Sequence, residues 1–124
     1  MIAKGTFEII MNPQTDEGVP AGRFTLDKTY QGDMVGKGLG QMISKRVEDG
    51  GAVYFAIEEF SGTVDGKKGE FTLAHKGFMD KNSQTLQIDI LEGSGSDELA
   101  TISGTLTITQ ADGVHHYELH YEHV

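Results

Sequence analysis

Glu58 and His75 are the two side chains whose types and spacing most directly suggest chemistry in this sequence. A carboxylate and an imidazole held together in apolar surroundings have shifted pKa values, and such a pair can move a proton to and from a bound molecule. The competing interpretation is a structural pair in which two buried polar groups satisfy each other. Either role requires that the fold bring both residues to one face.

Lys28 is the third polar residue that an alternating pattern places on an inward face. A buried ammonium needs a partner, so Lys28 neutralises Glu58, holds a ligand carboxylate or extends to the rim. Four aromatic residues are candidates for the walls of a pocket, a role that ordinary core packing explains equally well. These residues are Tyr54, Phe71, Tyr117 and Tyr121.

Seven turn and loop signals divide the sequence into eight segments rich in β-branched and aromatic residues. Asp-Gly pairs, which favour hairpins, form three of these signals at Asp49-Gly50, Asp65-Gly66 and Asp112-Gly113. The other four lie at residues 12–22, 31–33, 80–83 and 92–97, the last of them interpreted as a flexible loop. Short connections make successive strands antiparallel, so we predict an all-β meander of eight strands.

Closure of this meander into an up-and-down barrel removes the two exposed edge strands that an open sheet would leave. A two-sheet sandwich is the alternative with the same strand count. The length of 124 residues suits one domain, which we predict to span residues 1–124. The sequence therefore predicts a closed eight-stranded antiparallel barrel.

The segment from Val35 to Val47 is the most ambiguous part of the sequence. Leu39, Met42, Ile43 and Val47 have helical spacing, which would suit a short helix over residues 40–48. Alternating glycines at positions 36, 38 and 40 favour a strand with one nearly bare face instead. We predict a strand, and the pattern does not decide which face points inward.

Turn geometry fixes the register around the candidate pair. A two-residue turn at Asp65-Gly66 places Ala56 opposite His75 and Glu58 opposite Leu73. Glu58 and His75 then become diagonal neighbours about 7 Å apart on one face. Alternation predicts further inward residues, namely Phe7, Ile9, Met11, Phe24, Leu26, Tyr30, Leu86, Ile88, Ile90, Ile102, Leu106, Ile108 and Leu119.

Charge and composition limit the classes of partner. The formal net charge of -9 disfavours nucleic acid and anionic membranes, because both require clustered cations. The absence of cysteine removes disulfides and thiolate metal sites, and the histidines at positions 115, 116, 120 and 123 lack the spacing of a metal site. No apolar leader is visible at the N-terminus, so we expect a cytoplasmic protein without a metal or cofactor.

Four stretches of the sequence together resemble an uncharacterised bacterial family. They are Gly5 to Glu8, Asp27 to Met42 (DKTYQGDMVGKGLGQM), Tyr54 to Met79 (YFAIEEFSGTVDGKKGEFTLAHKGFM) and Glu92 to Ile108 (EGSGSDELATISGTLTI). The resemblance implies an allene oxide cyclase-like barrel, the fold of the plant cyclases and dirigent proteins. It transfers no catalytic residue, so any functional analogy applies only to the fold.

Three functions remain open at this point. The first is a module that binds a small, mostly apolar molecule inside the barrel. The second is a cofactor-independent isomerase or cyclase in which Glu58 and His75 transfer a proton. The third is a filled barrel that assembles with copies of itself, because Phe55 and Ile57 fall on the outer face. We expect a homo-oligomer.

Overall fold

The structure is a computed structural model that describes residues 1–124, and its eight strands close into one antiparallel barrel. Each strand pairs with the next, and β1 pairs with β8. The strands are β1 Ile2–Gln14, β2 Gly22–Gly32, β3 Met34–Arg46, β4 Ala52–Val64, β5 Lys67–Met79, β6 Gln84–Ile90, β7 Ile102–Ala111 and β8 Val114–His123. A single 3-10 turn, Asp97–Leu99, precedes β7. The predicted closed barrel is confirmed.

Two of the three Asp-Gly hairpins have the two-residue turn that their sequence favours. Asp65 and Gly66 have φ angles of 49° and 83°, and Asp112 and Gly113 have 53° and 78°. Positive φ at both positions matches the twist of the flanking strands and is least costly for Asp or Asn followed by Gly. The third pair, Asp49-Gly50, lies within the longer connection between β3 and β4.

The first connection is shorter than predicted, because β1 continues beyond Asn12 to Gln14. Pro13 pairs with Phe24 of β2, although proline lacks a backbone N–H and weakens a sheet interior. Pairing between β1 and β8 ends at Phe7, so Pro13 lies where β1 has a neighbour on only one side. That local edge accommodates proline within a strand.

Residues 34–46 form a strand, so a helix over residues 40–48 is wrong. Every second residue of β3 faces the interior, because it pairs with inward residues of β2 and β4. These inward residues are Met34, Gly36, Gly38, Gly40 and Met42. The bare glycine face allows large side chains of the neighbouring strands to occupy the space in front of β3.

One half of the barrel interior is filled. Its core consists of apolar and aromatic side chains that are at most 5% exposed: Ala3, Phe7, Tyr30, Met34, Phe60, Val64, Phe71, Leu73, Ile88, Ile90, Leu99, Ile102, Leu106, Tyr117, Leu119 and Tyr121. Leu99 of the 3-10 turn is fully buried over Gly69, where a Cβ atom would lie 3.0 Å from that of Leu99. Residues 92–97, predicted as a flexible loop, thus belong to a segment that covers this end of the barrel.

Candidate functional site

Glu58 of β4 and His75 of β5 meet inside the barrel, as the turn register predicts. Ala56 pairs with His75, and Glu58 pairs with Leu73. The His75 Nε2 atom lies 2.9 Å from Glu58 Oε1, with Glu58 fully buried and His75 6% exposed. The predicted diagonal pair is therefore a direct hydrogen bond.

Lys28 and Tyr30 of β2 reach the same carboxylate across the bare face of β3. Lys28 Nζ donates to Glu58 Oε1 at 2.9 Å, and the Tyr30 hydroxyl donates to Oε2 at 2.5 Å. A Cβ atom on Gly38 would lie only 2.0 Å from Oε2 and 2.9 Å from a ring carbon of Tyr30, so a larger residue at this position would displace the carboxylate or the ring. The Glu58 cluster, by which we mean Lys28, Tyr30, Glu58 and His75, thus joins three strands.

Tyr30 and Gly38 are the members of this arrangement that sequence analysis did not assign to a site. Their signal lies in the alternation, because Lys28 and Tyr30 share the inward face of β2 and pair with Gly38 and Gly36. Because the two glycines leave space in front of β3, the long polar side chains of Lys28 and Tyr30 can extend across β3 to β4. Recognising this requires knowing that β3 turns its bare face inward.

The electrostatics of the cluster favour an ionised carboxylate. Burial by itself would raise the pKa of Glu58, but the His75 hydrogen bond, the charge of Lys28, the charge that His75 carries when it is protonated and the Tyr30 hydroxyl together lower it to about 2. The same contacts act in the opposite sense on Tyr30. Burial, followed by the charge of Glu58 and the hydrogen bond to it, raises the pKa of that phenol well above its usual range. Tyr30 therefore remains a neutral donor.

The hydrogen bond to Glu58 also fixes the tautomer of neutral His75. A carboxylate has no hydrogen to donate, so Nε2 must carry the ring hydrogen and Nδ1 is left as an acceptor. Nδ1 makes no hydrogen bond within the protein, and it is not fully enclosed by protein atoms. His75 contributes to the wall of a cavity inside the barrel, and Nδ1 is its ring nitrogen without a partner in the protein.

The unfilled half of the barrel contains this cavity, which has a volume of about 160 Å³. Lys28, His75 and His115 contribute its polar side chains, and the remaining wall is apolar apart from the Tyr54 hydroxyl: Phe7, Ile9, Met11, Leu26, Met42, Tyr54, Ala56 and Ile108. Met11 is 44% exposed, because it lies where the cavity opens to solvent. Burial raises the pKa of Tyr54, whose hydroxyl therefore stays protonated at neutral pH.

The other three aromatic candidates lie in the filled half and do not line the cavity. The ring centroid of Phe71 lies 5.1 Å from that of Phe60. Tyr117 donates to the Gln31 carbonyl at 2.8 Å and accepts from the Met34 N–H at 2.8 Å, tying the β2–β3 turn to β8. Tyr121 donates to Asp65, and burial together with this carboxylate raises its pKa to about 12. These contacts explain their positions without a ligand.

Two further features are absent from the structure. No group of three or more histidine, aspartate or glutamate side chains is arranged to hold a metal ion. No helix has the length and apolar character needed to cross a bilayer.

Fold and site together define a small closed β-barrel with an ionic cluster at the boundary between a packed half and an open half. The chain belongs to the family described as "Protein of unknown function (DUF3224)", which matches residues 3–121. It is similar to a DUF3224 protein of unknown function from Shewanella oneidensis MR-1, whose crystal structure gives a TM-score of 0.94 at 30% identity. The comparison covers 100% of this chain and 97% of that one. No curated protein matches the chain.

Proposed function

We propose that this barrel binds a small, mostly apolar molecule in its open half, with Lys28 and His75 as polar anchors and Tyr54 in the wall. The observation that carries the proposal is an apolar cavity beside two polar side chains that retain hydrogen-bonding capacity. Ligand sites typically combine apolar walls with a few convergent polar groups. The predicted cytoplasmic location forms part of the same proposal.

Cavity size limits the ligand. A closed cavity of about 150 Å³ holds a benzene molecule, so the roughly 160 Å³ present here accommodates one small ring. The cavity opens to solvent beside Met11, and a longer substituent could extend outward there. Apolar walls favour a hydrocarbon body, because each Å² of apolar surface removed from water contributes about 25 cal/mol.

Glu58 supports the anchors and does not contact the ligand in this proposal. The carboxylate is fully buried, and both oxygens already accept hydrogen bonds from the cluster. Its charge offsets the ammonium of Lys28, which would otherwise be costly to bury. It also fixes the orientation of the His75 ring. Glu58 is thus a positioning residue.

Native mass spectrometry of freshly purified protein tests the proposal first, since a co-purifying molecule would identify the ligand class. Equilibrium dialysis with a small aromatic compound then provides a binding curve. Ala56→Leu adds bulk inside the cavity and should abolish binding, whereas Ala74→Leu adds the same bulk on the outer face of β5 and should not. Circular dichroism checks that both variants fold. Equal binding by the two variants would contradict an interior site.

A second candidate is a cofactor-independent isomerase, and the free Nδ1 atom of His75 is the observation that favours it. Nδ1 would remove a proton from a carbon next to a carbonyl, and the C–H electron pair would become the C=C bond of an enolate. Lys28 would stabilise the enolate oxygen, and His75 would return the proton to another carbon of the conjugated system. The step needs no oxidant or reductant.

Solvent exchange distinguishes this enzyme from a binding module. Small conjugated ketones incubated with the protein in D2O should gain deuterium at the carbon that is deprotonated. His75→Gln should abolish this exchange while binding of the ketone persists, since loss of turnover with retained binding is what catalysis by His75 requires. Binding of the ketone without exchange in the unmodified protein would leave the binding module as the function.

A further inference from the structure

The barrel wall is incomplete between β6 and β7. These strands pair at Ile88–Leu106 and at one adjacent position toward the filled half, and their pairing then ends although both strands continue toward the open half. On their other sides, residues 84–87 remain paired with β5 and residues 107–111 remain paired with β8. We call the two unpaired edges, residues 84–87 and residues 107–111, the β6–β7 seam.

Side-chain burial changes at the position where this pairing ends. Ile88 and Leu106, which form the last pair, are 0% and 1% exposed. Leu86 and Ile108, the next inward residues of the two strands, are only partly buried. Ile108 lines the cavity of the open half, whereas no residue of β6 does. The β6–β7 seam is therefore an opening in the wall of the open half.

Hairpin geometry indicates which backbone groups face the β6–β7 seam. In the two-residue hairpin that joins β7 to β8, Ala111 and Val114 form the hydrogen-bonded pair next to the turn, and non-hydrogen-bonded pairs alternate with hydrogen-bonded ones from there. Ile108 and Gln110 lie at non-hydrogen-bonded positions, so their N–H and C=O groups point away from β8. Because β6 does not pair with them, these backbone groups are available to another strand.

The β6–β7 seam lacks the features that usually protect an exposed strand edge. Proteins commonly block such edges with lysine, proline or a bulge. The exposed end of β1 contains Pro13, but residues 84–87 (QTLQ) and 107–111 (TITQA) contain neither a charged residue nor a proline. Threonine and isoleucine also favour an extended backbone. These edges are therefore suited to accept a further strand.

Charge is distributed unevenly along the chain, and the β6–β7 seam lies in its acidic part. Residues 82–124, which include β6, β7 and β8, contain seven aspartate or glutamate residues and no lysine or arginine. Two of the acidic residues flank the seam on the outer face, since Asp89 adjoins the last paired residue of β6 and Glu118 pairs with Thr107. This side of the barrel attracts a basic partner and repels a second copy of the same strands.

We propose that the β6–β7 seam binds an extended basic peptide, which adds as an antiparallel strand along residues 107–111. In recognition by strand addition, main-chain hydrogen bonds provide affinity and alternate side chains provide specificity. Peptide residues that bond to Ile108 and Gln110 turn their side chains inward, beside Leu86, and should be apolar. The residues between them turn outward near Asp89 and Glu118 and should be lysine or arginine. The proposal does not depend on a ligand in the cavity.

Amide hydrogen exchange of the protein alone tests whether the β6–β7 seam is open. The N–H groups of Ile108 and Gln110 should exchange at least about tenfold faster than those of Thr107 and Thr109, which lie at the positions hydrogen-bonded to β8. If all four groups were equally protected, β6 would be paired with β7 along its whole length and the proposal would fail.

A blocked hexapeptide of alternating lysine and valine is the probe for binding to the unmodified protein. Calorimetric titration should show binding that weakens as salt is added, and bound peptide should slow exchange at Ile108 and Gln110. A peptide with glutamate in place of lysine should not bind. N-methylation of the three valines removes the N–H groups that face β7 and should abolish binding, whereas N-methylation of the three lysines should not. Absence of binding by the first peptide, or equal binding by the two methylated peptides, would overturn the proposal.

A pair of variants tests the same contact from the side of the protein. Gln110→Pro removes an N–H group that faces the β6–β7 seam and should weaken peptide binding about tenfold, whereas Gln110→Ala keeps this group and should bind like the unmodified protein. Proline is tolerated on the free side of an edge strand, and circular dichroism checks that both variants fold. The methylated peptides test the contact without any variant. A dimer of the unmodified protein that Gln110→Pro dissociates would identify a second copy as the occupant and overturn the peptide proposal.

Discussion

Acid should destabilise this barrel chiefly through Glu58. The pKa of this carboxyl is about 2 in the folded protein, against 4.5 for an unperturbed glutamate. Because the folded-state pKa is the lower one, the stabilisation is complete above the unfolded pKa and disappears as the pH falls through the folded pKa. The difference corresponds to about 3 kcal/mol of unfolding free energy, of which about two thirds should be lost by pH 3.

Urea unfolding followed by circular dichroism measures this effect. Glu58→Gln should be several kcal/mol less stable than the unmodified protein near neutral pH, because Lys28 is then buried without its counter-ion. The difference in unfolding free energy between the unmodified protein and Glu58→Gln should decrease by about 2 kcal/mol between about pH 6.5 and pH 3. Glu59→Gln removes a carboxylate from the outer face of the same strand and should follow the pH dependence of the unmodified protein.

Subtracting the unfolding free energy of Glu58→Gln from that of the unmodified protein at each pH isolates the contribution of the Glu58 carboxylate. Asp16 and Asp80, whose pKa values are lowered by contacts with Arg23 and with Asn82 and Ser83, are present in every variant and cancel. If this difference stayed constant or increased as the pH fell, Glu58 would not be ionised in the folded barrel.

Three further predictions concern packing. Gly38→Ala should lower the unfolding free energy measured in urea by roughly 1–3 kcal/mol, because the added Cβ atom would overlap Glu58 and Tyr30. Gly22→Ala is the control: its Cβ atom would have no neighbour closer than 3.9 Å, so the unfolding free energy should change little. Tyr117→Phe should cost about 1–3 kcal/mol and accelerate amide hydrogen exchange at Met34, whose N–H loses its acceptor; unchanged exchange would contradict this role. Leu99→Ala should lower thermal stability by about 2–5 kcal/mol without affecting ligand binding in the open half, and lost binding would show that the two halves are coupled.

Much of the fold could be predicted because turn chemistry and alternation are local signals. The Asp65-Gly66 turn fixes the register of β4 and β5, and this register alone places Glu58 beside His75. Alternation likewise predicts the inward position of Lys28, which is 3% exposed. These inferences depend only on neighbouring strands and on a period of two.

The remainder of the site depends on relations across the barrel. Tyr30 and Glu58 lie on strands that are not adjacent, and their contact exists only because Gly38 of the intervening strand is bare. Whether the interior is filled depends on how side chains from all eight strands pack together. The burial of Leu99 similarly depends on the path of the chain between β6 and β7. No local pattern encodes these relations.

The half-filled interior makes this barrel a scaffold in which stability and ligand preference can be changed separately. Aromatic packing and the buried Leu99 support one end, so side chains at the other end need not hold the fold together. Met11 and Met42 at the open end are flexible residues that adapt to differently shaped neighbours. Substitutions there would reshape the cavity around an unchanged pair of polar anchors. New specificities could therefore be selected without first stabilising the protein.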